Sequence, residues 1–456
     1  MDWETVKSRL DALLEADKKA ELRGALRMLN RVDVAQYLSE LDTDKMLKVF
    51  RLLPTEISSD VFSYMDDDQQ EKLIATIGDQ EICRLVDDMF IDDAVDFLDD
   101  LPSDLVKKVL ENVSPDTRRV INRFLSYPEN SAGSIMTIEF CAFPGGYTVA
   151  QAMKEIRRTG LDKETINTLY ILDAEGRLQG TLALRKLISA DDDVPVQNLM
   201  ETSFVSVGTL DDQETVAETV KKYDLLAVPV LDKEGRVVGI ITADDILDVM
   251  QEEATEDIER MSALTPSDDT YMKTGVFELV KNRLPWLVLM LVASIFTGLI
   301  ISHYEDKLIL SAVGVALIGC IPMIMDTGGN CGQQSSTLII RGLATGEVEP
   351  RDAVRVLWKE ARVSLLVSSV LAAVCFVIQY FIFRVGTPDS RLAICLTISA
   401  SMVCCVLFAK ILGGLLPLGV KALKLDPALI ASPMITTVAD TCSLLILFAL
   451  ATAVLL

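Results

Sequence analysis

The apolar positions of this chain change their period twice. From residue 1 to about 128, leucine, valine and isoleucine recur at helical spacing, and Gly and Pro are rare and fall between segments, so the pattern predicts helices only. A weak repeat lies inside this stretch. Leu53-Pro54-Thr55-Glu56 matches Leu101-Pro102-Ser103-Asp104, and Asp68 falls opposite Asp116 and Leu73 opposite Ile121 at the same offset, as in stacked helical hairpins. After Asn130-Ser131-Ala132-Gly133, short β-branched strands alternate with helices, twice over: residues 168–182 and 226–241 each read as strand, turn and strand. Gly176 and Gly235 stand where the turn wants a positive φ, and a helix follows each unit. From residue 248 to about 281 one further helix is expected. It leads through Lys281, Arg283, Pro285 and Trp286, a positive and aromatic interface pattern, into five apolar runs at roughly 284–302, 308–325, 363–383, 392–415 and 433–456. Each is long enough to cross a bilayer core of about 30 Å.

The second apolar run continues into Pro322-Met323-Ile324-Met325-Asp326-Thr327-Gly328-Gly329-Asn330-Cys331-Gly332-Gln333-Gln334-Ser335-Ser336-Thr337. Proline and paired glycines are expected to break the helix here, which membrane depth tolerates only where protein or a water-filled cavity satisfies the freed backbone. The amides and hydroxyls that follow suit a hydrated hard cation; alternatively the glycines are close-packing positions between helices. Pro433 is likewise expected to release a carbonyl near Leu429.

Composition sharpens this division. Half of the 456 residues are hydrophobic and the mean hydropathy is +0.33, too apolar for a wholly soluble chain. Residues 283–456 carry a net charge of +2, which leaves −26 on residues 1–282. Phosphates would be repelled by so acidic a half, so nucleic acid is not its partner. Cations are the natural counterpart, unless the charge is diffuse and merely aids solubility. Nine cysteines, most in apolar runs and without CxxC spacing, read as small buried hydrophobes rather than disulfides or a zinc site. Residues 1–22 alternate charge and leucine and do not form a signal peptide. The connections holding Arg341, Arg351, Arg355, Lys359 and Arg362, and Lys421 with Lys424, are the basic ones. By the positive-inside rule the N-terminus is then cytoplasmic and, with five spans, the C-terminus outside.

Asp440 is the lone carboxylate of the last apolar run. An ionised side chain in a span costs about 2.5–3.5 kcal/mol on insertion scales, so it is normally kept for an ion path or a buried partner. The alternative is a structural carboxylate capped by Thr436 and Thr437 or paired to a cation on another helix. Lys410, one run earlier, is expected to contact Asp326 or to snorkel to the interface. Asp87, Asp88, Asp92, Asp93, Asp96, Asp99 and Asp100 read as one acidic helix, with 92, 96 and 99 on one face; solvent or a cation must relieve their repulsion. A further acidic run, Glu252-Glu253-Ala254-Thr255-Glu256-Asp257-Ile258-Glu259, precedes the membrane. The single histidine, His303, is expected in an outer loop, and the chain has no Cys/His cluster for a soft metal. An enzyme would need a nucleophile with a base, or a metal dyad, and neither is evident.

The two strand units, about 131–252, resemble a tandem pair of cystathionine-β-synthase (CBS) domains, a module that dimerises and often senses adenine nucleotides or ions. Thr242 and Asp245 fit that family's ribose-holding pair in the second unit, whereas Ala183 and Lys186 stand there in the first. Three further motifs, Pro322 through Thr337 with Arg341-Gly342-Leu343-Ala344, the linker Glu253-Ala254-Thr255-Glu256-Asp257-Ile258, and Asp426-Pro427-Ala428 followed by Ser432-Pro433 and Thr436 to Asp440, resemble the MgtE family of magnesium channels and transporters. That resemblance covers essentially the whole chain. It implies an acidic all-α helical-hairpin domain at 1–128, α/β tandem CBS domains at 129–252, a linking or plug helix at 253–281 and a five-helix transmembrane domain at 282–456. It also implies a homodimer in lipid, with Mg²⁺ both carried and sensed. Asp440 with Thr436 would hold hydrated Mg²⁺, in a pore lined by Asn330, Gly328, Gly329, Thr437 and Ser432. Sensor carboxylates would be Asp92, Asp93, Asp96, Asp212, Glu214, Asp224, Asp245, Asp248, Glu253, Glu256 and Asp257, with ATP as a further ligand at Thr242 and Asp245. Transport of another divalent ion such as Co²⁺ or Mn²⁺, or a non-conducting membrane-anchored sensor, are the competing expectations.

Overall fold

The computed structural model of the chain describes residues 3–99, 101–267, 271, 274–309, 312–429 and 432–455; Asp100 of the acidic run lies outside them. The chain divides into two compact units, Met1–Gln251 and Glu252–Leu456.

The first unit opens with α1 (Trp3–Glu15), α2 (Lys19–Arg27), α3 (Arg31–Ser39), α4 (Thr43–Phe50), α5 (Thr55–Ser63), α6 (Asp67–Thr76), α7 (Asp79–Asp87), α8 (Ile91–Asp99), α9 (Ser103–Asn112) and α10 (Pro115–Phe124). Such short helices depend on their ends. Asn30, Asp42 and Ser114 each accept a first-turn N–H, caps worth about 0.5–2 kcal/mol apiece. The sequence repeat has its structural counterpart: α5 and α9 both start after a proline, Pro54 and Pro102, and Leu73 and Ile121 occupy matching, fully buried positions in α6 and α10. The acidic run is two helices rather than one. Carboxylates are unfavourable at a helix C-terminus, and Asp87, where α7 stops, instead accepts from Thr117 Oγ1 at 2.6 Å and from the Ser114 N–H at 3.2 Å, tying α7 to α10.

Two three-stranded sheets follow. The first contains β1 (Phe140–Pro144), β2 (Thr165–Leu172) and β3 (Leu178–Ala183), with α11 (Val149–Thr159) and α12 (Leu184–Ile188); the second contains β4 (Val207–Gly208), β5 (Ala227–Leu231) and β6 (Val237–Thr242), with α13 (Gln213–Tyr223) and α14 (Ala243–Met261). In each sheet the first pair is parallel and the second antiparallel, so the duplicated pattern is a duplicated topology. Gly176 and Gly235 turn at φ +82° and +81°, values that side chains resist. Val216, Val228, Ile241, Ile246 and Val249 of the second half share one core with the helical part.

α14 ends at Met261, well short of residue 281. Ala263 takes a left-handed φ of +58°, and the Leu264 N–H donates to the Glu259 carbonyl at 2.9 Å, a helix-terminating cap that Pro266 reinforces by its inability to continue the helix.

The second unit is built from α15 (Val276–Ile309), α16 (Ala312–Ala344), α17 (Ala353–Val377), α18 (Arg391–Ala422) and α19 (Ser432–Leu455). Among the described residues four segments are long and apolar enough to cross a membrane, Val276–Tyr304, Pro350–Ile382, Arg391–Ala422 and Pro433–Leu455. α18 lies at the centre, packed on α16, α17 and α19. α16 does not break: it is continuous from Ala312 to Ala344 with Pro322 inside it. Gly328, Gly329 and Gly332 are contact positions, as the close-packing alternative had it. A Cβ on Gly413 of α18 would stand 2.1 Å from the Gly332 carbonyl oxygen, so two backbones touch there. Pro433 is the second residue of α19, where the missing N–H has no partner to lose, and frees no carbonyl. His303 lies within α15, edge-on to Tyr304 with ring centroids 5.2 Å apart, not in a loop.

Gly413→Ala is expected to lower the thermal midpoint of the detergent-solubilised protein through overpacking of about 1–3 kcal/mol. Gly419→Ala, whose Cβ meets nothing within 4 Å, is expected to leave it unchanged or slightly raised. Equal effects of the two in differential scanning fluorimetry contradict the close crossing.

Candidate functional site

Asp440 sits on α19 facing the paired glycines of α16. Its Oδ1 is buried without a hydrogen-bond partner, and a Cβ on Gly329 would lie 3.2 Å from that oxygen and 3.3 Å from Thr436 Cβ. The threonines do not cap it: Thr436 Oγ1 and Thr437 Oγ1 both donate to the Pro433 carbonyl at 2.8 Å, because a hydroxyl in a helix reaches the preceding turn. Gly328 makes the adjacent seat, where a Cβ would fall 2.6 Å from Ser443 Oγ, itself buried and unpartnered. Gly328 and Gly329 therefore bring α16 close under Asp440 rather than forming open wall. Asp326, one turn earlier, is near enough for its charge to act on Asp440. Asp326, Asn330, Gln334 and Thr337 are all exposed in the single chain and recur at helical spacing, a polar stripe on one face of α16. The Ser432 side chain lies outside the described residues.

Lys410 contacts neither Asp326 nor the interface. It is 5% exposed, and its Nζ donates to Ser335 Oγ at 3.4 Å. Ser335 is nine residues beyond Asp326 on α16, about 13.5 Å of helix rise. Ser335 in turn donates to Glu360 Oε2 at 2.7 Å. Glu360 was masked in the sequence by the basic residues around it.

In the first unit, Asp92, Asp93, Asp96, Asp245 and Asp248 line one cleft of about 620 Å³, joined by Asp60, Asp67, Glu164 and Asp244. α8 supplies the first three, and the first two turns of α14 supply Asp244, Asp245 and Asp248. Asp92 is 7% exposed, and burial, then the charge of Asp245, holds its carboxyl well above the usual range. Burial followed by Asp245 also lifts Asp93 to about 6 and Glu164 to about 7. Asp245 is raised by burial, though Thr242 counters it by donating from Oγ1 at 2.6 Å and from its N–H at 3.2 Å. Asp60, Glu164 and Asp244 escaped sequence reasoning because tertiary packing, not local spacing, brings them here. Asp212, Glu214 and Asp224 are not gathered within one chain. Asp212 caps the start of α13, accepting the Glu214 N–H at 3.0 Å, and Asp224 caps its end at φ +50°, about 18 Å away along the helix. Among the described residues no three His, Cys, Asp or Glu side chains are already drawn to metal-ligand geometry.

The second unit holds another acidic group. Arg260 on α14 binds Glu256 and donates to Asp426 Oδ2 at 2.7 Å. Burial, then the charges of Asp426 and Glu253, pushes Asp257 up, and burial lifts Glu256. Asp426, in the turn between α18 and α19, belongs with these linker carboxylates and was legible only as part of a motif.

Models of the MgtE intracellular N domain, of the CBS domain and of the MgtE divalent cation transporter match residues 29–130, 196–252 and 321–450. The magnesium transporter MgtE of Thermus thermophilus is 34% identical over 454 residues, 99% of this chain and 98% of its own length. The chain belongs to the MgtE family. The Bacillus subtilis magnesium transporter MgtE is 30% identical over 453 residues, again 99% and 98% of the two chains. The crystal structure of the soluble part of a magnesium transporter superposes with a TM-score of 0.54 at 31% identity, covering 56% of this chain and all of that one. The order of this MgtE chain, helical N domain, CBS pair and apolar helical region, is thus the family's.

Carboxyls whose folded pKa is raised stabilise the fold at low pH and lose that contribution as pH rises through their folded values. Without divalent ions the thermal midpoint of the full-length protein is therefore expected to fall between pH 5 and 8, the window set by Asp93 near 6 and Glu164 near 7. Added Mg²⁺ is expected to raise the midpoint strongly at pH 8 and little at pH 5, where protons already neutralise the cleft. A Mg²⁺ effect equal at both pH values contradicts the cleft as an ion site.

Proposed function

We propose that this chain is a magnesium-selective channel or transporter of the cytoplasmic membrane, held shut by intracellular Mg²⁺. The observation that carries this is the Asp440 carboxylate, its Oδ1 buried without a partner over Gly329 and its neighbouring hydroxyls turned to the backbone. A carboxylate so placed needs a cation, and Mg²⁺ parts with its water reluctantly, so an oxygen site that takes the hydrated ion suits it. In this reading two copies pair with the polar stripe of α16 and the face of α19 turned toward one path. Asp440 with Thr436 holds the ion's water shell, Thr437 and Ser432 lie toward the entrance, and Asn330 lines the wall. α16 counts as the fifth span, with the N-terminus cytoplasmic and the C-terminus outside. Four strong apolar segments and the group of Arg341 at the end of α16, Arg351 in the connection and Arg355, Lys359 and Arg362 in the first turns of α17 support that arrangement.

The acidic cleft supports the gate. Mg²⁺ entering among Asp92, Asp93, Asp96, Asp245 and Asp248 relieves their repulsion and compacts the first unit. Asp212, Glu214 and Asp224 contribute when a second copy brings α13 ends together. Glu253, Glu256 and Asp257 of α14 act beside Asp426, which precedes α19. Low internal Mg²⁺ restores the repulsion and opens the path, a feedback as strong as the ion's differential affinity for the two states. The ATP expected from the CBS resemblance competes poorly: Thr242 is bonded to Asp245, which faces the acidic cleft, and that charge disfavours a triphosphate. Conduction of Co²⁺ or Mn²⁺ is the nearest competing reading.

Asp440→Asn keeps the shape and removes the charge. Mg²⁺ uptake by cells that lack other importers is expected to fall to background with protein level unchanged. Uptake at the unsubstituted rate contradicts the assignment, and preferential uptake of Co²⁺ or Mn²⁺ by the unsubstituted protein favours the competing reading.

A further inference from the structure

Lys410, Ser335 and Glu360 form a polar chain that the path described above does not use. Lys410 on α18 is 5% exposed, Ser335 on α16 is 1% exposed and Glu360 on α17 is 8% exposed. One hydroxyl joins the two charges, donating to Glu360 Oε2 at 2.7 Å and accepting from Lys410 Nζ at 3.4 Å. A complete buried pair is close to neutral in stability against a well-packed apolar set, whereas a half-pair is strongly destabilising. Stability is therefore a poor reason for the chain, and register is a better one. Sliding α16 by one residue turns Ser335 about 100° away and leaves both charges without their bridge.

The location gives that register a consequence. Gly329, Gly332 and Ser335 fall on successive turns of α16. Gly329 carries Asp440, and Gly332 lies against the Ala409 carbonyl and the Gly413 backbone; Ser335 meets Lys410, the neighbour of Ala409. On the far side a Cβ on Gly414 would stand 3.2 Å from Glu360 Cγ. The polar chain thus clamps three helices about 9 Å along α16 from the seat of Asp440.

We propose that Lys410, Ser335 and Glu360 are positioning residues for the ion site: they fix α16 so that Gly329 presents Asp440 at the distance that selects hydrated Mg²⁺. This rests on the reading that Asp440 meets the passing ion. It is tested with the full-length protein in proteoliposomes, measuring the half-saturating Mg²⁺ concentration, the maximal flux and the Mg²⁺ to Mn²⁺ flux ratio, with thermal melting alongside. Lys410→Met combined with Glu360→Gln is expected to melt as the unsubstituted protein does, whereas Ser335→Ala, which leaves both buried charges without their bridge, is expected to melt lower while staying folded. Both are expected to raise half-saturation about fivefold or more, the lower end of ordinary coupling between sites. Maximal flux is expected to be largely kept and the Mg²⁺ to Mn²⁺ ratio lowered, while Lys410→Arg restores normal values. Unchanged half-saturation and ratio in both variants overturn the proposal. So does a neutral double variant that recovers everything lost in Lys410→Met alone, since the pair would then only balance charge, and so does one that cannot fold. Flux in the unsubstituted protein with unaltered variants defeats the positioning role alone; its absence defeats the reading of Asp440 and this role with it.

Discussion

A carboxylate removed from water must find hydrogen bonds, a counter-charge or a proton, and this molecule withholds the usual partners from one oxygen of Asp440. Thr436 and Thr437 lie one turn before it on α19, yet both hydroxyls close on the Pro433 carbonyl. α16 approaches with glycine, which brings backbone rather than a donor side chain. The two glycines and the two threonines have one physical result: Asp440 Oδ1 is buried and receives a donor from none of them.

The same constraint recurs in the soluble unit with a different outcome. Asp92, Asp93, Glu164 and Asp245 are pressed together until burial and mutual repulsion raise their proton affinity. An assembly strained in this way stores a preference for any hard cation, because neutralising one carboxylate relieves its neighbours. Structural ion pairs elsewhere, such as Arg51 with Glu81, lack that property because each charge already has its partner. The Arg260 contact with Asp426 lies between these cases: a cation of the protein occupies part of an acidic group whose other members, Glu253, Glu256 and Asp257, remain close by.

Much of this was legible in the sequence. Helical period, the offset between Pro54 and Pro102, and the matched turns at Gly176 and Gly235 are local signals, and the structure follows them. Family membership follows from motifs spread over the whole length. What the sequence hid was three-dimensional. Pro322 and the glycines after it carry the local signature of a broken helix, but α16 runs on through them and Gly332 packs against Gly413. Lys410 found Ser335 and Glu360 instead of Asp326, because Glu360 sits in a basic stretch that local reading assigns to solvent. Asp87 and Asp92 look alike in a charge pattern, although one ties α7 to α10 and the other lines the acidic cleft. Glu164 and Asp244 reach that cleft through the fold alone.

The central claim is that one ion satisfies unrelieved carboxylates both along the path and in the soluble unit. It is tested most directly by Mg²⁺ flux through the purified protein in proteoliposomes while the Mg²⁺ concentration bathing the soluble unit is varied. Flux is expected to be large when that side is free of Mg²⁺ and to fall steadily as Mg²⁺ is added there. Flux that is absent, or that ignores Mg²⁺ on the sensor side, contradicts the claim.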